Sequence, residues 1–291
     1  MFKGSLVALI TPFRDGKVDE AAFQEHVAWQ LDQGTHGLVP IGTTGECPTL
    51  ENEEQKRLIE LCVEVANGRA PVIPGTGFNS TAHTIEATRQ AKEAGADAAL
   101  VVCPYYNKPT QEGLYQHFKA VHDAVDLPIV IYNIPGRTNV DMSNATLARL
   151  AKLPNIVGVK DSTNDLSRVT KLRIEVGEEF SMLSGEDGTA VGFLAQSGDG
   201  CISVTANVAP ALLSEMHTAW QKGDVATVRR IHERLMPLHD ALFVETSPAP
   251  VKYAASLLGR CTPEVRQPLW HTTPETQDRV QRAMRGAGLV N

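Results

Sequence analysis

The sequence predicts an α/β fold, a (β/α)8 TIM barrel with a small helical extension at its C-terminal end. Short apolar runs rich in β-branched residues alternate about eight times with amphipathic stretches, and most of these runs are apolar on both faces. Strands buried on both faces are typical of a parallel sheet, and eight such units favour a closed barrel over an open doubly wound sheet. No GxGxxG sequence, which would favour the open sheet, follows the first run.

The predicted strands and helices alternate along the first two thirds of the chain. The eight strands are residues 6–10, 37–41, 71–75, 98–102, 128–133, 156–160, 180–185 and 201–205. The first three helices are residues 20–34, 51–68 and 80–95. Gly34 and the Asn67-Gly68 pair end two of these helices, and Ser80 is a suitable N-cap for the third.

The pattern changes near residue 225, where helices follow one another without strands. These predicted helices are residues 224–245, 247–259 and 273–288. We therefore expect a (β/α)8 barrel domain over residues 1–224 and a C-terminal helical domain over residues 225–291. No low-complexity linker separates the two parts, so the helices are expected to pack on the barrel.

Composition excludes several classes of function. The chain has 34 acidic and 27 basic residues and a formal charge of -7, so nucleic acid is not an expected partner. The apolar N-terminal stretch is too short to cross a bilayer and lacks a cleavage site, which predicts neither membrane contact nor a signal peptide. Five scattered cysteines suit reduced thiols in the cytoplasm. The nine histidines show no HxH or HExxH spacing, so no metal site is expected.

Polar, glycine-rich and aromatic sequences follow the predicted strands. They are TPF, GTTGE (42–46), GTG (75–77), PYYNKP (104–109), YNIPGRT (132–138), KDST (160–163), SGED (184–187) and TAN (205–207). The active site of a TIM barrel lies at the C-terminal ends of its strands. These sequences therefore predict a small-molecule site at that end of the barrel.

Lys160 gives this predicted site a specific chemistry. A lysine in a desolvated pocket keeps part of its amine neutral, and a neutral amine can form a Schiff base with a ketone. Tyr132, one strand earlier, can move protons, the GTTGE turn suits a carboxylate, and Arg137 can bind a second carboxylate. Each feature alone has an ordinary alternative as a surface charge, rim residue or common turn. Their joint placement at successive strand ends favours catalysis.

The motifs GTTGE, PYYNKPTQEGLYQHF, YNIPGRT, VGVKDST and ISVTANVAP, in this order and spacing, resemble the dihydrodipicolinate synthase (4-hydroxy-tetrahydrodipicolinate synthase) family. This family belongs to the pyruvate-dependent class I aldolases, with N-acetylneuraminate lyase. The resemblance runs essentially end to end. It implies condensation of pyruvate with L-aspartate 4-semialdehyde, the first committed step of diaminopimelate and lysine biosynthesis, with no metal or organic cofactor.

The resemblance also implies roles for individual residues. Lys160 would form the imine with pyruvate, and Tyr132, Thr43 and Tyr106 would form a proton relay. Tyr106 would reach in from the neighbouring subunit of a homotetramer, a dimer of tight dimers.

Four further residues would bind the substrates. Thr44 would hold the pyruvate carboxylate and Arg137 the carboxylate of the semialdehyde. The backbone carbonyl of Ile202 would orient groups near the lysine, and Gly185 would line the pocket.

Two alternatives remain beside the synthase activity. A sugar-acid aldolase or lyase of the same superfamily would typically have Ser-Thr at Thr43-Thr44 and would lack Arg137, so these residues favour the synthase. A catalytically silent binding protein is also compatible with a barrel fold.

The chain departs from the family pattern at the positions that resemble the regulatory site of lysine-inhibited members. That site would use Asn79 and Tyr105 with a histidine and a glutamate, but Gln55 and His83 stand at the latter two positions. Loss of a carboxylate that pairs with the ligand ammonium predicts weak or absent inhibition by lysine.

Overall fold

The computed structural model describes residues 1–291, and its parallel sheet curls into a barrel. The seven strands of this sheet are Gly4–Ala8, Gly37–Val39, Ala99–Val102, Ile129–Asn133, Ile156–Asp161, Ser181–Ser184 and Gly200–Ser203. Hydrogen bonds join the strand at 4–8 to those at 37–39 and 200–203. From 200–203 the other strands follow in reverse chain order to 99–102 at the opposite edge. The first and last strands are neighbours, as the predicted TIM barrel requires.

Residues 71–75 close the barrel without forming a regular strand. Two isolated parallel bridges, Leu38 to Val72 and Gly75 to Leu100, join this segment to the two edges of the sheet. The predicted position is therefore right, but the prediction of a continuous strand is wrong. Pro71 and Pro74 lack the backbone N–H that a ladder needs, so hydrogen bonding on this segment is interrupted.

The helices surround the barrel in the predicted order. Those of the barrel are Glu20–Asp32, Asn52–Ala66, Thr81–Glu93, Gln111–Ala124, Asn144–Leu150, Ser167–Val176, Ala190–Ala195 and Pro210–Gln221, with a short helix Pro135–Thr138 after the fifth strand segment. Ser80 is confirmed as an N-cap, since its hydroxyl accepts a hydrogen bond from the N–H of His83. None of the helices is both long and apolar enough to span a bilayer.

After residue 224 the chain contains helices and no strands. These helices are Val225–Ala241, Ala249–Leu257 and Pro274–Gly286, and the first of them packs against both Pro210–Gln221 and Pro274–Gly286. Because the pattern of elements changes at residue 225, we propose residues 1–224 and 225–291 as the two domains. The segment 243–247 between the first two of these helices reaches the C-terminal end of the barrel.

Two apolar cores hold the fold together. A cluster of 58 buried residues fills the space that includes the barrel–helix interface. A smaller cluster of ten fills the barrel interior: Leu6, Ala8, Val39, Ile73, Ala98, Leu100, Val130, Tyr132, Leu183 and Ile202. Side chains alternate between the faces of a strand, so Val130 and Tyr132 point inward while Ile129 and Ile131 point toward the helices.

Candidate active site

A cavity of about 640 Å³ opens at the C-terminal ends of the strands. Six of the eight residues predicted to be catalytic or substrate-binding line it: Thr43, Thr44, Tyr132, Arg137, Lys160 and Gly185. The other two, Ile202 and Tyr106, do not line this cavity. Ile202 is fully buried inside the barrel, and Tyr106 is 89% exposed.

A β-bulge turns Lys160 toward the cavity. Ile129 pairs with Ile156, but the next residue, Val130, pairs with Gly158, so Val157 is an extra residue in this strand. Ile156 points toward the helices, and strict alternation from it would also direct residue 160 outward. The extra residue shifts this alternation by one position, so Lys160 pairs with the inward-pointing Tyr132.

Lys160 is buried without an acidic partner. Only 6% of the residue is exposed, and Nζ lies 4.1 Å from the centroid of the Tyr132 ring. The other deeply buried lysine, Lys252, instead has a glutamate at 2.7 Å. Lys160 is also the only lysine that lines the cavity, so its amine is the one placed to react with a substrate there.

Gly185 leaves the room that Lys160 needs. A Cβ atom at this position would lie 3.0 Å from Cε of Lys160 and 1.9 Å from the hydroxyl of Ser162. The N–H of Gly185 donates to the carbonyl of Asp161 at 2.8 Å, which fixes the backbone beside the lysine. A larger residue would therefore displace either side chain from the cavity wall.

The turn at residues 42–47 presents the two threonines to the cavity. Glu46 N–H donates to the carbonyl of Thr43, and the hydroxyl of Thr11 donates to the carbonyl of Gly45 at 2.7 Å. Thr44 is buried and Thr43 is partly buried, and both line the cavity with Lys160. Hydroxyls and backbone N–H groups of such a turn suit a carboxylate.

A buried ion pair holds the end of this turn. Nζ of Lys252 lies 2.7 Å from Glu46, and both side chains are almost completely buried. The other oxygen of Glu46 accepts a hydrogen bond from the N–H of Arg266 at 2.9 Å. Burial lowers the pKa of Lys252, while the carboxylate beside it opposes this effect. The helix Ala249–Leu257 is thereby joined to the turn of the two threonines.

Arg137 is available to bind an anion. It lies on the short helix Pro135–Thr138, and its guanidinium forms no hydrogen bond or salt bridge within the chain. Arg137 lines the main cavity and also an adjoining cavity of about 230 Å³ that includes Cys47 and Tyr105. Burial raises the pKa of Cys47 to about 12, which makes this thiol a poor nucleophile.

Tyr106 is exposed and does not line the cavity of its own chain. The residue is 89% exposed and has a φ of 71°, a left-handed conformation that is unfavourable for tyrosine. The amide of the next residue, Asn107, donates to the carbonyl of Asn79 at 2.8 Å and holds the loop in place. Strained backbone that the surrounding structure maintains is common at functional sites.

The residues of the regulatory site considered above are only partly available to a ligand. The amide of Gln55 is buried and donates to the carbonyls of Cys47 and Leu50 at 3.3 and 3.1 Å. His83 is exposed, and its ring lies edge-on to Phe78. Asn79 and Tyr105 are partly buried. The amide N–H groups of Gln55 are therefore occupied by backbone carbonyls and are not available to a ligand.

Three parts of the cavity wall were not recognised in the sequence. Ser162, Glu186 and the segment 243–247 all line it. The first two lie in the KDST and SGED sequences, and their positions at strand ends were the available signal. Nothing in the sequence pattern placed 243–247 at the barrel, because it follows a helix of the C-terminal region.

Comparison with known proteins agrees with this geometry. Residues 1–287 match the Dihydrodipicolinate synthetase family. The chain belongs to this family. It is 67% identical to 4-hydroxy-tetrahydrodipicolinate synthase of Rhodospirillum centenum over 290 residues, with all of both chains covered.

Two solved structures of dihydrodipicolinate synthase superpose with a TM-score of 0.97. The enzyme from Aquifex aeolicus is 46% identical, with 99% of each chain covered. The chloride-inhibited enzyme from Acinetobacter baumannii, complexed with pyruvate, is 45% identical, with all of both chains covered. These similarities confirm the predicted fold class, the family and the assignment as an enzyme.

Proposed function

We propose that this chain condenses pyruvate with L-aspartate 4-semialdehyde to give 4-hydroxy-tetrahydrodipicolinate, the first committed step of diaminopimelate and lysine biosynthesis. The observation that carries the proposal is the inward orientation of Lys160 beside Tyr132, without a carboxylate partner. Full-length relatives that bear the synthase name support the choice of substrates. Five free cysteines fit a cytoplasmic location.

The reaction begins with the amine of Lys160. Its lone pair attacks the ketone carbon of pyruvate, and loss of water gives a protonated imine. Loss of a methyl proton then gives an enamine, whose carbon attacks the aldehyde of the second substrate. The ammonium group of that substrate finally loses a proton and adds as the neutral amine to the imine carbon. Nζ takes up a proton, its bond to this carbon breaks, and Lys160 is released as the ring closes.

The cavity wall supplies the binding groups for these steps. Thr44 and the adjacent backbone hold the pyruvate carboxylate, and Arg137 holds the carboxylate of the semialdehyde. Gly185 keeps the space beside Lys160 free. Ile202 does not line the cavity, but its side chain lies in the barrel interior, and we assign its backbone carbonyl the role of orienting groups near the lysine.

Proton transfer is the role of Tyr132, Thr43 and Tyr106. We infer that Tyr106 serves the cavity of a neighbouring subunit, because it is exposed and does not line its own cavity. This role requires at least a dimer, and we propose the tetramer built from two tight dimers.

Replacing Tyr106 by phenylalanine should lower kcat by about 10²-fold or more, because one donor of the relay is lost. Pyruvate should still be trapped on the enzyme by borohydride. The control is Tyr115→Phe, a helix tyrosine that stacks with Arg149. Mixed oligomers of Tyr106→Phe and Lys160→Ala chains should regain activity, since one site would then combine Lys160 with a partner's intact tyrosine. Mixtures that stay inactive would contradict action between subunits.

Lysine should inhibit this enzyme weakly or not at all. Gln55 is committed to backbone carbonyls, and His83 provides no carboxylate for the ligand ammonium. A steady-state assay over a lysine series measures the effect. Half-inhibition at sub-millimolar lysine would refute the prediction, and His83→Glu should strengthen inhibition if the missing carboxylate is the cause.

An assay of substrate choice separates the synthase from its alternatives. The protein is given pyruvate with L-aspartate 4-semialdehyde and, separately, N-acetylneuraminate or 2-keto-3-deoxy sugar acids. We expect turnover of the semialdehyde and far slower cleavage of the sugar acids. The reverse preference would indicate a sugar-acid lyase. A protein that neither turns over these compounds nor forms a borohydride adduct would be a binding protein.

A further inference from the structure

Glu186 is an acidic residue of the cavity with no role in the steps above. It follows the strand Ser181–Ser184. The hydroxyl of Ser184 fixes the backbone of Glu186, since it accepts from the N–H of Glu186 at 3.1 Å and donates to the carbonyl of Glu186 at 3.0 Å. The residue is half-buried and lines the cavity with Lys160 and Arg137. Unlike Glu46, which pairs with Lys252, Glu186 forms no salt bridge.

Glu186 is the acidic residue of the cavity wall whose side chain has no ion-pair partner and caps no helix. Four charged side chains line the cavity: Arg137, Lys160, Glu186 and Glu245. Glu245 already accepts hydrogen bonds from the N–H and hydroxyl of Thr273 at 3.0 and 2.7 Å. The neighbouring Asp187 lies outside the cavity wall and accepts from Ser203, Val204 and Thr205.

The surroundings of Glu186 suit a cationic ligand. Burial raises the pKa of its carboxyl, while the hydroxyl of Ser162 and the positive charges of Lys160 and Arg137 act in the opposite direction. The hydroxyl of Ser162 is buried in the same wall beside this carboxyl, and it has no other hydrogen-bond partner in the chain. A half-buried carboxylate and a hydroxyl beside it can both accept hydrogen bonds from an ammonium group, since a hydroxyl that donates to the carboxylate keeps its lone pairs.

We propose that Glu186, with Ser162 beside it, binds the α-ammonium group of the second substrate. The inference rests on the proposed function. L-Aspartate 4-semialdehyde carries a carboxylate, an aldehyde and an ammonium group. Arg137 takes the carboxylate and the enamine on Lys160 takes the aldehyde, which leaves the ammonium for the remaining anion of the cavity. Glu186 thereby selects an amino-acid aldehyde over an aldehyde that lacks the amine.

The test compares two aldehydes, L-aspartate 4-semialdehyde and succinic semialdehyde, which lacks the amine. The enzyme is first loaded with pyruvate, and the rate of conversion of the pyruvate adduct to the condensed adduct or product is followed in single turnover, with borohydride quenching. Glu186→Gln should slow the reaction of the amino aldehyde by about 10- to 100-fold, the loss expected for a charged hydrogen bond. The rate with succinic semialdehyde should change little.

Controls make each outcome decisive. Glu186→Asp should recover part of the preference, and Glu245→Gln, at the committed glutamate, should leave the ratio of the two rates unchanged. Equal losses for both aldehydes, or no loss for either, would overturn the role of Glu186. Failure of the unmodified enzyme to turn over L-aspartate 4-semialdehyde would instead refute the proposed function. Pyruvate trapping by Glu186→Gln shows that the variant is folded.

Discussion

Replacing Lys160 by alanine should abolish turnover, with a loss of about 10³-fold or more, because no other lysine lines the cavity to form the imine. Pyruvate should no longer be trapped by borohydride. The fold should survive, since the change removes a buried amine that has no ion-pair partner. Thermal unfolding should show a midpoint equal to or above that of the unmodified chain. Steady-state kinetics measures the loss of turnover, and mass spectrometry of borohydride-treated protein measures the loss of pyruvate trapping.

Two controls separate loss of the amine from other effects. Lys160→Arg keeps the positive charge but cannot form an imine, so it should be as inactive as the alanine variant. Lys152→Ala, at an exposed lysine, should keep full activity. A Lys160→Ala protein that still traps pyruvate would show that the reactive amine lies elsewhere.

Replacing Lys252 by methionine should destabilise the protein by about 3–5 kcal/mol, the cost of leaving a buried charge without its partner. The remaining carboxylate of Glu46 would keep only the N–H of Arg266 as a close donor. The loss should shrink as the pH falls. Without Lys252, the folded-state pKa of Glu46 should lie above its unfolded value, so protonation relieves the penalty at low pH. Chemical denaturation at several pH values measures both effects.

The double variant Glu46→Gln/Lys252→Met should recover much of the lost stability, because no isolated charge remains. Lys56→Met is the matched control. Its partner Glu60 lies 3.9 Å away on an exposed helix face, so the loss should be about 1 kcal/mol or less. An equal loss in Lys56→Met and Lys252→Met would contradict the importance of the buried pair. Lys252→Met should also raise KM for pyruvate, because Glu46, the partner of Lys252, ends the turn that carries Thr43 and Thr44.

The order of strands and helices could be predicted because burial imposes a visible pattern on the sequence. Residues 20–34, 51–68 and 80–95 are predicted helices whose ends fall within two residues of the observed ones. The segment 71–75 differs for a local reason, since two prolines interrupt its hydrogen bonding while its side chains still look like those of a strand.

The site was only partly accessible to sequence reasoning. The position of Lys160 at a strand end is visible in VGVKDST, but its inward direction depends on the bulge at Val157, which is set by pairing with the neighbouring strand. Glu46 and Lys252 are 206 residues apart, so only the folded chain reveals their contact. Glu186 is visible in SGED, yet its lack of a partner emerges only when the other charges of the cavity are located.

The most direct test of Schiff-base catalysis is to map the covalent adduct on the unmodified protein. The chain is incubated with pyruvate, reduced with borohydride, digested and analysed by tandem mass spectrometry. We expect one reduced pyruvate unit on the peptide that contains Lys160 and none on the peptide that contains the buried Lys252. Absence of any adduct, or an adduct located on a lysine other than Lys160, would contradict the proposed mechanism.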